Sequence, residues 1–512
     1  MTAGIIAAGH PATAEAGAQL LREGGNAVDA AVAASFASFM TEPTLVAPGG
    51  GGFATVYRRR DGKVSLYDFF CNFPGLNGEP PEQLDFYPIS IDYGPTTQLF
   101  HIGRGSVAVP GLIAGLCKLQ EDSGRLPLAV VLEPAIALAR RGAPIGDFGS
   151  YVGYLLYSIF SNEPDLAALF GAPGHFLAPD FCYRNPDLAN TLEALAKEGP
   201  DLIYRGDIAQ AILADQRKHG GLLTAADLAS YQVIVREPLR LPYRDLCLFT
   251  NPPPSRGGAL IAFSLALLEA YDLKELPFGS ARHLGLLTEV MRQTNLARPS
   301  FESFGDVDLF LSQEHIRDHS LDLTNRLARP ARPYPPDPPL NLEHQNTTHI
   351  SVLDANGNLV SLTTTAGETP GYVLNGSGLI LNNILGEDDL HPDGFHLGTP
   401  GKRIGSMMAP SIILHNGDPV LAVGSGGANR IRTAILQVIL NFTDFDLNLR
   451  QAVEAPRIHF EQGELQIEGG VKSSTVGWLR RWGYDIVRWG GRHMFFGGTH
   501  AVGKNEDGVF QG

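Results

Sequence analysis

The stretch Asn346-Thr347-Thr348-His349-Ile350-Ser351 decides the interpretation of this 512-residue chain. It lies where a proline-rich segment, 329–339, leads into the first run that is typical of a strand. A threonine hydroxyl is a weak nucleophile unless a base accepts its proton, and one such base is the α-amine of a threonine that begins a chain. With an unperturbed pKa of about 7.7–8.0, that amine is partly neutral near neutral pH. Thr347 is therefore a candidate nucleophile, provided that the Asn346–Thr347 peptide bond is first cut.

The same hydroxyl can make that cut. Attack of the Thr347 hydroxyl on the carbonyl carbon of Asn346 gives an ester, which water then opens. Taken alone, the four residues 346–349 also fit a buried threonine pair at the start of a strand. Which interpretation holds depends on the rest of the chain.

The patterns on the two sides of this stretch differ. Helical periodicity dominates the first part, starting with an alanine-rich pattern over 11–40 that is broken at Gly24-Gly25-Asn26, a helix end followed by a helix start. After about residue 340 the runs are short and strand-like, and Asn356-Gly357 indicates a hairpin. Predicted strands of this part are 349–353, 358–364, 378–382, 411–414 and 420–424, and predicted helices are 430–441 and 449–455.

Composition and charge exclude several classes of function. Hydrophobic residues make up 44% of the chain, enough for a large core, whereas the net charge of −15 argues against nucleic acid as a partner. No membrane span or signal peptide is predicted, and four widely spaced cysteines suit reduced thiols, so a cytoplasmic location is expected. The sequence has no phosphate-binding loop and no metal-ligand spacing, so neither a metal nor a cofactor is expected.

Read together, the motifs of the chain resemble those of the γ-glutamyltransferase family almost from end to end. Those of the first part are His10-Pro11, Gly24–Ala33, Glu42-Pro43, Gly49–Phe53, Val109-Pro110-Gly111, Gly220–Thr224 and Pro252–Gly258. Those of the second part are Thr347–Ser351, Asp354–Asn358, Leu381-Asn382-Asn383, Gly401-Lys402-Arg403 and Gly424–Gly427.

The resemblance implies a fold, a maturation step and a set of catalytic residues. The fold is the αββα four-layer sandwich of N-terminal nucleophile hydrolases, made as one precursor and cut at Asn346/Thr347 into a large chain, 1–346, and a small chain, 347–512, which stay associated. Thr347 is the implied nucleophile, and Thr365 matches the second threonine that hydrogen-bonds its hydroxyl. Gly427 and Ala428 match the two residues whose backbone N–H groups stabilise the oxyanion; alanine still donates its N–H.

The residues that hold a glutamyl α-carboxylate in the family are mostly replaced. The family's arginine in an Asp-Phe-Arg-Glu motif corresponds here to Phe70, and its two adjacent serines correspond to Ser406 and Met407. Hydrogen bonds to charged groups are worth about 1.5–3 kcal/mol each, so their loss removes selectivity for a charged head group.

The residues that hold the glutamyl α-amine differ as well. An asparagine, a glutamine and an aspartate of the family align with Gly367, Ile384 and Glu387. The resemblance thus implies an acyltransferase or amidohydrolase that passes an acyl group to water or to an amine or peptide acceptor. Its donor is either a γ-glutamyl compound or, as in cephalosporin-acylase-like relatives, an apolar or dicarboxylic acyl amide.

Some alternatives stay open at this stage. The chain could be a catalytically silent member that serves as a binding or structural module, although retention of Thr347 and Thr365 argues against it. Phe70 and Ile384 could point into the core rather than into a pocket. Glu387 could belong to a solvated acidic turn, and Gly49–Gly52 is expected to serve packing rather than chemistry.

Overall fold

The computed structural model describes residues 4–92, 97–171, 178–328, 346–391, 394–505 and 507–512, and these form two compact units. The first unit is Met1–Glu237 with Gln345–Ser406, and the second is Pro238–His344 with Met407–Gly512. Each unit therefore contains residues from both sides of the predicted cut at 346/347, which stays a prediction. The predicted linker 329–339 lies outside the described residues.

The strands of the described chain, in order, are β1 Gly4–Ala7, β2 Gly51–Arg58, β3 Lys63–Asp68, β4 Tyr87–Asp92, β5 Thr97–Ile102, β6 Ala143–Pro144, β7 Cys182–Tyr183, β8 Ile234–Arg236, β9 Leu239–Tyr243, β10 Leu246–Thr250, β11 Thr348–Asp354, β12 Leu359–Thr365, β13 Ser411–His415, β14 Asp418–Gly426, β15 Ile458–Glu461, β16 Glu464–Ile467, β17 Asp485–Arg488, β18 Gly498–Lys504 and β19 Phe510–Gln511.

The helices are α1 Pro11–Arg22, α2 Ala27–Thr41, α3 Leu112–Ser123, α4 Leu128–Arg141, α5 Gly146–Leu155, α6 Tyr157–Phe160, α7 Pro164–Leu169, α8 Pro186–Glu198, α9 Asp201–Tyr204, α10 Asp207–His219, α11 Ala225–Ser230, α12 Gly257–Leu268, α13 Ala281–Phe304, α14 Val307–Phe310, α15 Gln313–Ala328, α16 Ile431–Thr443, α17 Leu449–Glu454 and α18 Ser473–Arg481. Searched over the described residues, none of these helices is long and apolar enough to cross a membrane.

The first unit is built on a six-stranded antiparallel sheet in the order β1-β11-β12-β2-β3-β8. Helix α2 packs on β11 and β12, and α1 and α4 pack on α2. All fifteen residues of α2 are buried, as expected for a helix that is apolar all round. The sheet and its helical layer share one core.

The second unit repeats this plan with different elements. Its main sheet is also six-stranded and antiparallel, in the order β19-β18-β14-β13-β10-β9. Helix α16 packs on β14, α17 on β18, and α12 on β9 and α16. Each unit therefore joins one antiparallel sheet to a helical layer, as each half of the predicted sandwich requires.

The glycine run 49–52 allows β2 to approach its neighbours closely. A Cβ atom on Gly50 would lie 2.2 Å from the Thr365 carbonyl oxygen, and one on Gly52 would lie 2.5 Å from the Thr363 carbonyl oxygen. Real Cβ atoms do not approach that closely, so larger residues would push β12 away. The expectation that this run serves packing is confirmed.

One strand prediction is wrong. Residues 378–382 form no strand, and their only ladder-like pairings among the described residues are isolated bridges, Leu374 with Leu379 and Gly49 with Leu381. The glycines and asparagines around this segment bend it into turns, and its hydrogen bonds go to side chains and to the glycine run rather than to a ladder.

The start of α2 is fixed by a buried carboxylate. Asp29 forms a capping box with Asn26, and its carboxylate also accepts hydrogen bonds from the Gln120 side chain and the backbone N–H groups of Arg125 and Leu126, at 2.6–2.9 Å. These bonds tie the central helix to the segment between α3 and α4. The helix end and start predicted at Gly24-Gly25-Asn26 are confirmed, since α1 ends at Arg22 and α2 begins at Ala27.

We expect Asp29→Ala to lower the free energy of unfolding by about 3 kcal/mol or more, because each buried donor left without its acceptor costs about 1–3 kcal/mol. Thermal unfolding measures this change. Asp61→Ala is the matched control, since Asp61 lies in an exposed turn and its removal should change stability by less than about 0.5 kcal/mol. Equal unfolding temperatures of the two variants would contradict the stabilising role of Asp29 at the start of α2.

Candidate active site

Thr347 directly precedes β11, the strand that pairs with β12 in the sheet of the first unit. Its side chain is 9% exposed, and the preceding Asn346 is 3% exposed. In the ladder Thr348 lies opposite Thr364, so Thr365 at the end of β12 lies level with the predicted cleavage point. The register of one strand pair thus brings together three of the predicted residues, Asn346, Thr347 and Thr365.

Thr365 contacts the carbonyl group that the predicted cleavage requires to react. Its hydroxyl donates a hydrogen bond to the Asn346 carbonyl oxygen and accepts one from the Gly367 N–H at 3.1 Å. The Thr365 hydroxyl thus accepts from the Gly367 N–H and donates its one proton to the Asn346 carbonyl oxygen. A donor at that oxygen polarises the carbonyl and stabilises negative charge that develops on it.

The side chain of Asn346 is anchored independently. Its Nδ2 donates a hydrogen bond of 2.8 Å to the Thr44 carbonyl oxygen, in the segment that follows α2. An asparagine with its carboxamide and its carbonyl oxygen both bonded has little freedom to turn. The residue before the predicted cut is therefore held in one orientation.

A buried carboxyl group fixes the beginning of β11. Glu42 is 6% exposed and accepts hydrogen bonds from Thr348 Oγ1 at 2.6 Å and Thr13 Oγ1 at 2.7 Å. Burial raises the pKa of Glu42, and the two hydroxyl donors oppose that rise. Thr348 thereby ties the strand that carries Thr347 to the end of α2.

The position aligned with the family's amine-binding asparagine is sterically closed. Gly367 has φ +66°, and a Cβ atom there would lie 2.1 Å from Asn383 Oδ1 and 2.6 Å from Glu387 Oε1. Asn383 is itself used, because its Oδ1 accepts the Glu368 N–H at 2.8 Å. The structure thus places Gly367 and Glu387 side by side and leaves no room for a larger residue between them.

Two residues predicted to line an apolar pocket are both 1% exposed. Phe70 stacks on Phe53 with ring centroids 5.6 Å apart. Ile384 begins a short 3-10 helix, and its N–H donates to Asn382 Oδ1 at 3.2 Å. Glu387, 2% exposed, lies just after that helix and is not on a solvated turn.

Arg403, which contacts the backbone of Phe70, is also paired with an acidic residue. Arg403 hydrogen-bonds the Phe70 carbonyl oxygen and the Tyr231 hydroxyl, and its Nε lies 3.1 Å from Asp68 Oδ1. Asp68 is fully buried, so withdrawing Arg403 would leave a buried charge with less compensation. Arg403 therefore holds the 68–71 segment in place.

Of the remaining predicted residues, Ser406 is the last residue of the first unit, and the others belong to the second unit. Ser406 ends the first unit and Met407 begins the next segment of the second; they are 6% and 4% exposed. Gly427 and Ala428 form the turn between β14 and α16, with φ +120° and +50°. A positive φ is strained for alanine, and strain of this kind concentrates at functional turns. Within the described residues no group of three His, Cys, Asp or Glu side chains could hold a metal ion.

Sequence reasoning missed Glu368, a carboxyl group that is 1% exposed beside the predicted cut. Burial raises the pKa of the Glu368 carboxyl group to about 7. Neither of its carboxyl oxygens has a hydrogen-bond partner among the described residues. The available signal was its position three residues after Thr365, on the same turn as Gly367.

Comparison with known proteins places these features in context. The gamma-glutamyltranspeptidase family model matches residues 13–512. The acylase ACY 1 proenzyme of Pseudomonas sp. (strain SE83) is 33% identical over 99% of this chain and 91% of its own length. The glutathione hydrolase proenzyme of Escherichia coli (strain K12) is 30% identical over 99% of this chain and 89% of its own length.

A solved structure agrees over nearly the whole chain. The cephalosporin acylase from Bacillus halodurans superimposes with a TM-score of 0.84 and 25% identity, covering 99% of this chain and 93% of its own. The predicted fold class, that of the N-terminal nucleophile hydrolases, is confirmed.

We expect Thr365→Val to slow cleavage between Asn346 and Thr347 at least tenfold, because it removes the donor on the Asn346 carbonyl while keeping the side-chain volume. The uncut fraction is followed with time by denaturing mass spectrometry. Thr364→Val is the matched control, since its buried hydroxyl has no hydrogen-bond partner among the described residues. Thr365→Ser should cleave nearly normally, and equal rates for both valine variants would contradict the role of Thr365.

Proposed function

Since this chain belongs to the gamma-glutamyltranspeptidase family, we propose that Thr347 becomes its N-terminal nucleophile by self-cleavage after Asn346. The chain is an amide-cleaving enzyme of the N-terminal nucleophile class; such family members act on amides, with water or an amine as acceptor. The observation that supports the proposal is the hydrogen bond from the Thr365 hydroxyl to the carbonyl oxygen of Asn346.

The proposed maturation uses the Thr347 hydroxyl, the Asn346 carbonyl group, a water molecule and the Thr365 donor. Thr347 Oγ adds to the carbonyl carbon of Asn346, the C–N bond breaks, and the hydroxyl proton ends on the nitrogen, which becomes the α-amine. Water then hydrolyses the ester, which leaves a carboxylate on Asn346 and restores the Thr347 hydroxyl. Throughout, Thr365 donates to the oxygen on which negative charge develops.

Turnover repeats the same chemistry on a substrate. The α-amine of Thr347 accepts the proton of its own hydroxyl, which attacks the substrate amide and forms an acyl ester. The amine leaving group takes the proton, and water or a second amine then releases the acyl group. Gly427 and Ala428 stay the predicted donors to the oxyanion of this second reaction.

We propose that the preferred acyl donor lacks the α-ammonium and α-carboxylate of a glutamyl group. Phe70 offers no charge, and Arg403 beside it is bound to Asp68 and to backbone oxygens. Gly367 brings no amide group toward a substrate amine, and the side-chain oxygens of Asn383 and Glu387 lie where its Cβ atom would be. An amide of an apolar or dicarboxylic acid suits a site that lacks these charged and amide groups. The similarity to proteins named as acylases supports this choice of donor.

A γ-glutamyl donor is the second candidate. Glu387 retains an acidic group at the position aligned with the amine-binding aspartate, and several relatives of 30% identity or more are named glutathione hydrolases. A buried carboxylate can attract an ammonium group even without the neighbouring amides.

Initial rates with three anilides that share one chromophore separate the two candidates. We expect kcat/KM for the glutaryl and butanoyl anilides to exceed that for the γ-glutamyl anilide at least tenfold, which corresponds to about 1.4 kcal/mol. Thr347→Ala, which should be inactive on all three, controls for contaminating activity. A tenfold preference for the γ-glutamyl anilide would instead establish the second candidate.

A further inference from the structure

The segment that follows α2 contacts the residues on both sides of the predicted cut. Before the cut, the side-chain amide of Asn346 donates a hydrogen bond of 2.8 Å to the Thr44 carbonyl oxygen. After the cut, Thr348 Oγ1 donates a hydrogen bond of 2.6 Å to Glu42 Oε2. One short segment therefore holds the chain immediately before and immediately after Thr347.

The carboxyl group of Glu42 is itself held in place. Its other oxygen accepts a hydrogen bond of 2.7 Å from Thr13 Oγ1 on α1, and Thr13 Oγ1 lies 2.6 Å from Thr41 Oγ1 at the end of α2. The Glu42 N–H donates to the Ser38 carbonyl oxygen at 2.8 Å, which fixes the backbone as well. Glu42 thus connects two helices of the first unit to Thr348.

Burial strengthens the contact between Glu42 and Thr348. The two residues are 6% and 3% exposed. The backbone of Gly9 lies directly against their hydrogen bond, since a Cβ atom there would be 2.3 Å from Glu42 Oε2 and 3.3 Å from Thr348 Oγ1. A hydrogen bond that is shielded from water is electrostatically stronger than one in water. The pair therefore forms a firm anchor at the start of β11.

The cut affects the two contacts differently. In the uncut chain, the anchors of Asn346 and of Thr348 both restrain Thr347, because all three residues belong to one continuous backbone. Hydrolysis separates Asn346 from Thr347, so the bond to Thr44 no longer restrains the nucleophile. Thr347 is then a chain terminus attached through Thr348 alone, and termini are poorly ordered unless they are tied down.

We propose that Glu42 is a positioning residue for turnover, which holds Thr348 and thereby the new N-terminus at Thr347 after the cut. The α-amine and the hydroxyl of Thr347 both have to face the bound amide, and a misplacement of about 1 Å can cost about a hundredfold in rate. This inference rests on the proposed function, because it concerns the same nucleophile. In this role Glu42 acts through Thr348 and touches no substrate.

The first test measures self-cleavage and turnover separately in Thr348→Val. We expect self-cleavage within about threefold of the wild-type rate, because Asn346 keeps its own anchors, Thr44 and Thr365. For the mature variant we expect kcat/KM to fall at least about tenfold on whichever of the three anilides the wild type cleaves fastest.

The variant has a matched control and a conservative partner. Thr364 lies opposite Thr348 in the ladder, and its buried hydroxyl has no hydrogen-bond partner among the described residues, so Thr364→Val should keep both rates. Thr348→Ser retains the hydroxyl and should restore turnover to within about threefold of the wild type. A loss that came from packing alone would not be restored in this way.

A second readout needs no substrate. Periodate breaks the Cα–Cβ bond of an N-terminal threonine, releasing ammonia and acetaldehyde, leaving an aldehyde and being reduced to iodate. Internal threonines lack the free amine and do not react. The denatured mass of the small chain, 347–512, follows this oxidation under native conditions. We expect it to be at least about fivefold faster in mature Thr348→Val than in mature Thr364→Val, because a released terminus is more exposed.

Variants of Glu42 test the other partner of the anchor. Glu42→Gln should stay within about threefold of the wild type in turnover, because a carboxamide can bond both threonine hydroxyls. Glu42→Leu can bond neither hydroxyl and should reproduce the turnover loss of Thr348→Val. If Glu42→Leu does not fold, the Thr348 variants decide alone.

Two outcomes would overturn the role of Glu42. One is equal turnover and equal oxidation rates for Thr348→Val and Thr364→Val, which would leave the contact a packing feature. The other is a loss of self-cleavage in Thr348→Val as large as its loss of turnover, since the contact would then act before the cut. A wild-type chain that never cuts itself would refute the proposed function, whereas cutting and turnover that ignore Thr348 refute only this role.

Discussion

The antiparallel pairing of β11 with β12 is the constraint on which the site depends. In this ladder Thr348 lies opposite Thr364. The Thr365 hydroxyl therefore lies beside the peptide bond that precedes Thr347. A shift of one residue would turn every side chain of β12 to the opposite face and remove this donor from the carbonyl. The register is held by the turn between β11 and β12, in which the buried Asp354 carboxylate accepts the N–H groups of Asn356 and Asn358.

The same pairing determines what the neighbouring elements can be. At Gly50 and Gly52 the backbone at the start of β2 lies so close to β12 that a Cβ atom would meet a carbonyl oxygen of β12, which explains the glycine run as a packing feature. Helix α2 covers β11 and β12 and ends at Thr41; the next residue, Glu42, accepts a hydrogen bond from Thr348. The packing of the first unit and the geometry around Thr347 are therefore consequences of one set of contacts.

Much of this could be predicted because it depends on local signals. The break at Gly24-Gly25-Asn26, the hairpin at Asn356-Gly357 and the helix after Ala428 follow from caps, turns and periodicity, and all are present. Segment 378–382 was misassigned, because its apolar residues look like a strand while its hydrogen bonds are made by distant side chains.

The candidate site was predictable only in part. Thr347 and Thr365 were found through motif resemblance, but the contact between Thr365 and Asn346 depends on strand register, which no single motif encodes. Glu368 was missed because burial, not sequence spacing, makes a carboxyl group unusual. The replacement at Gly367 likewise becomes intelligible only once Asn383 and Glu387 are seen to fill the space above it.

The most direct test of the central claim is the denatured intact mass of the purified protein beside a Thr347→Ala variant. The account predicts two fragments in the wild type, residues 1–346 and 347–512, and one uncut chain of 55.0 kDa in the variant. A single uncut chain in both, even after long incubation at neutral pH, would contradict it, because Thr347 would then have no α-amine to act as its base.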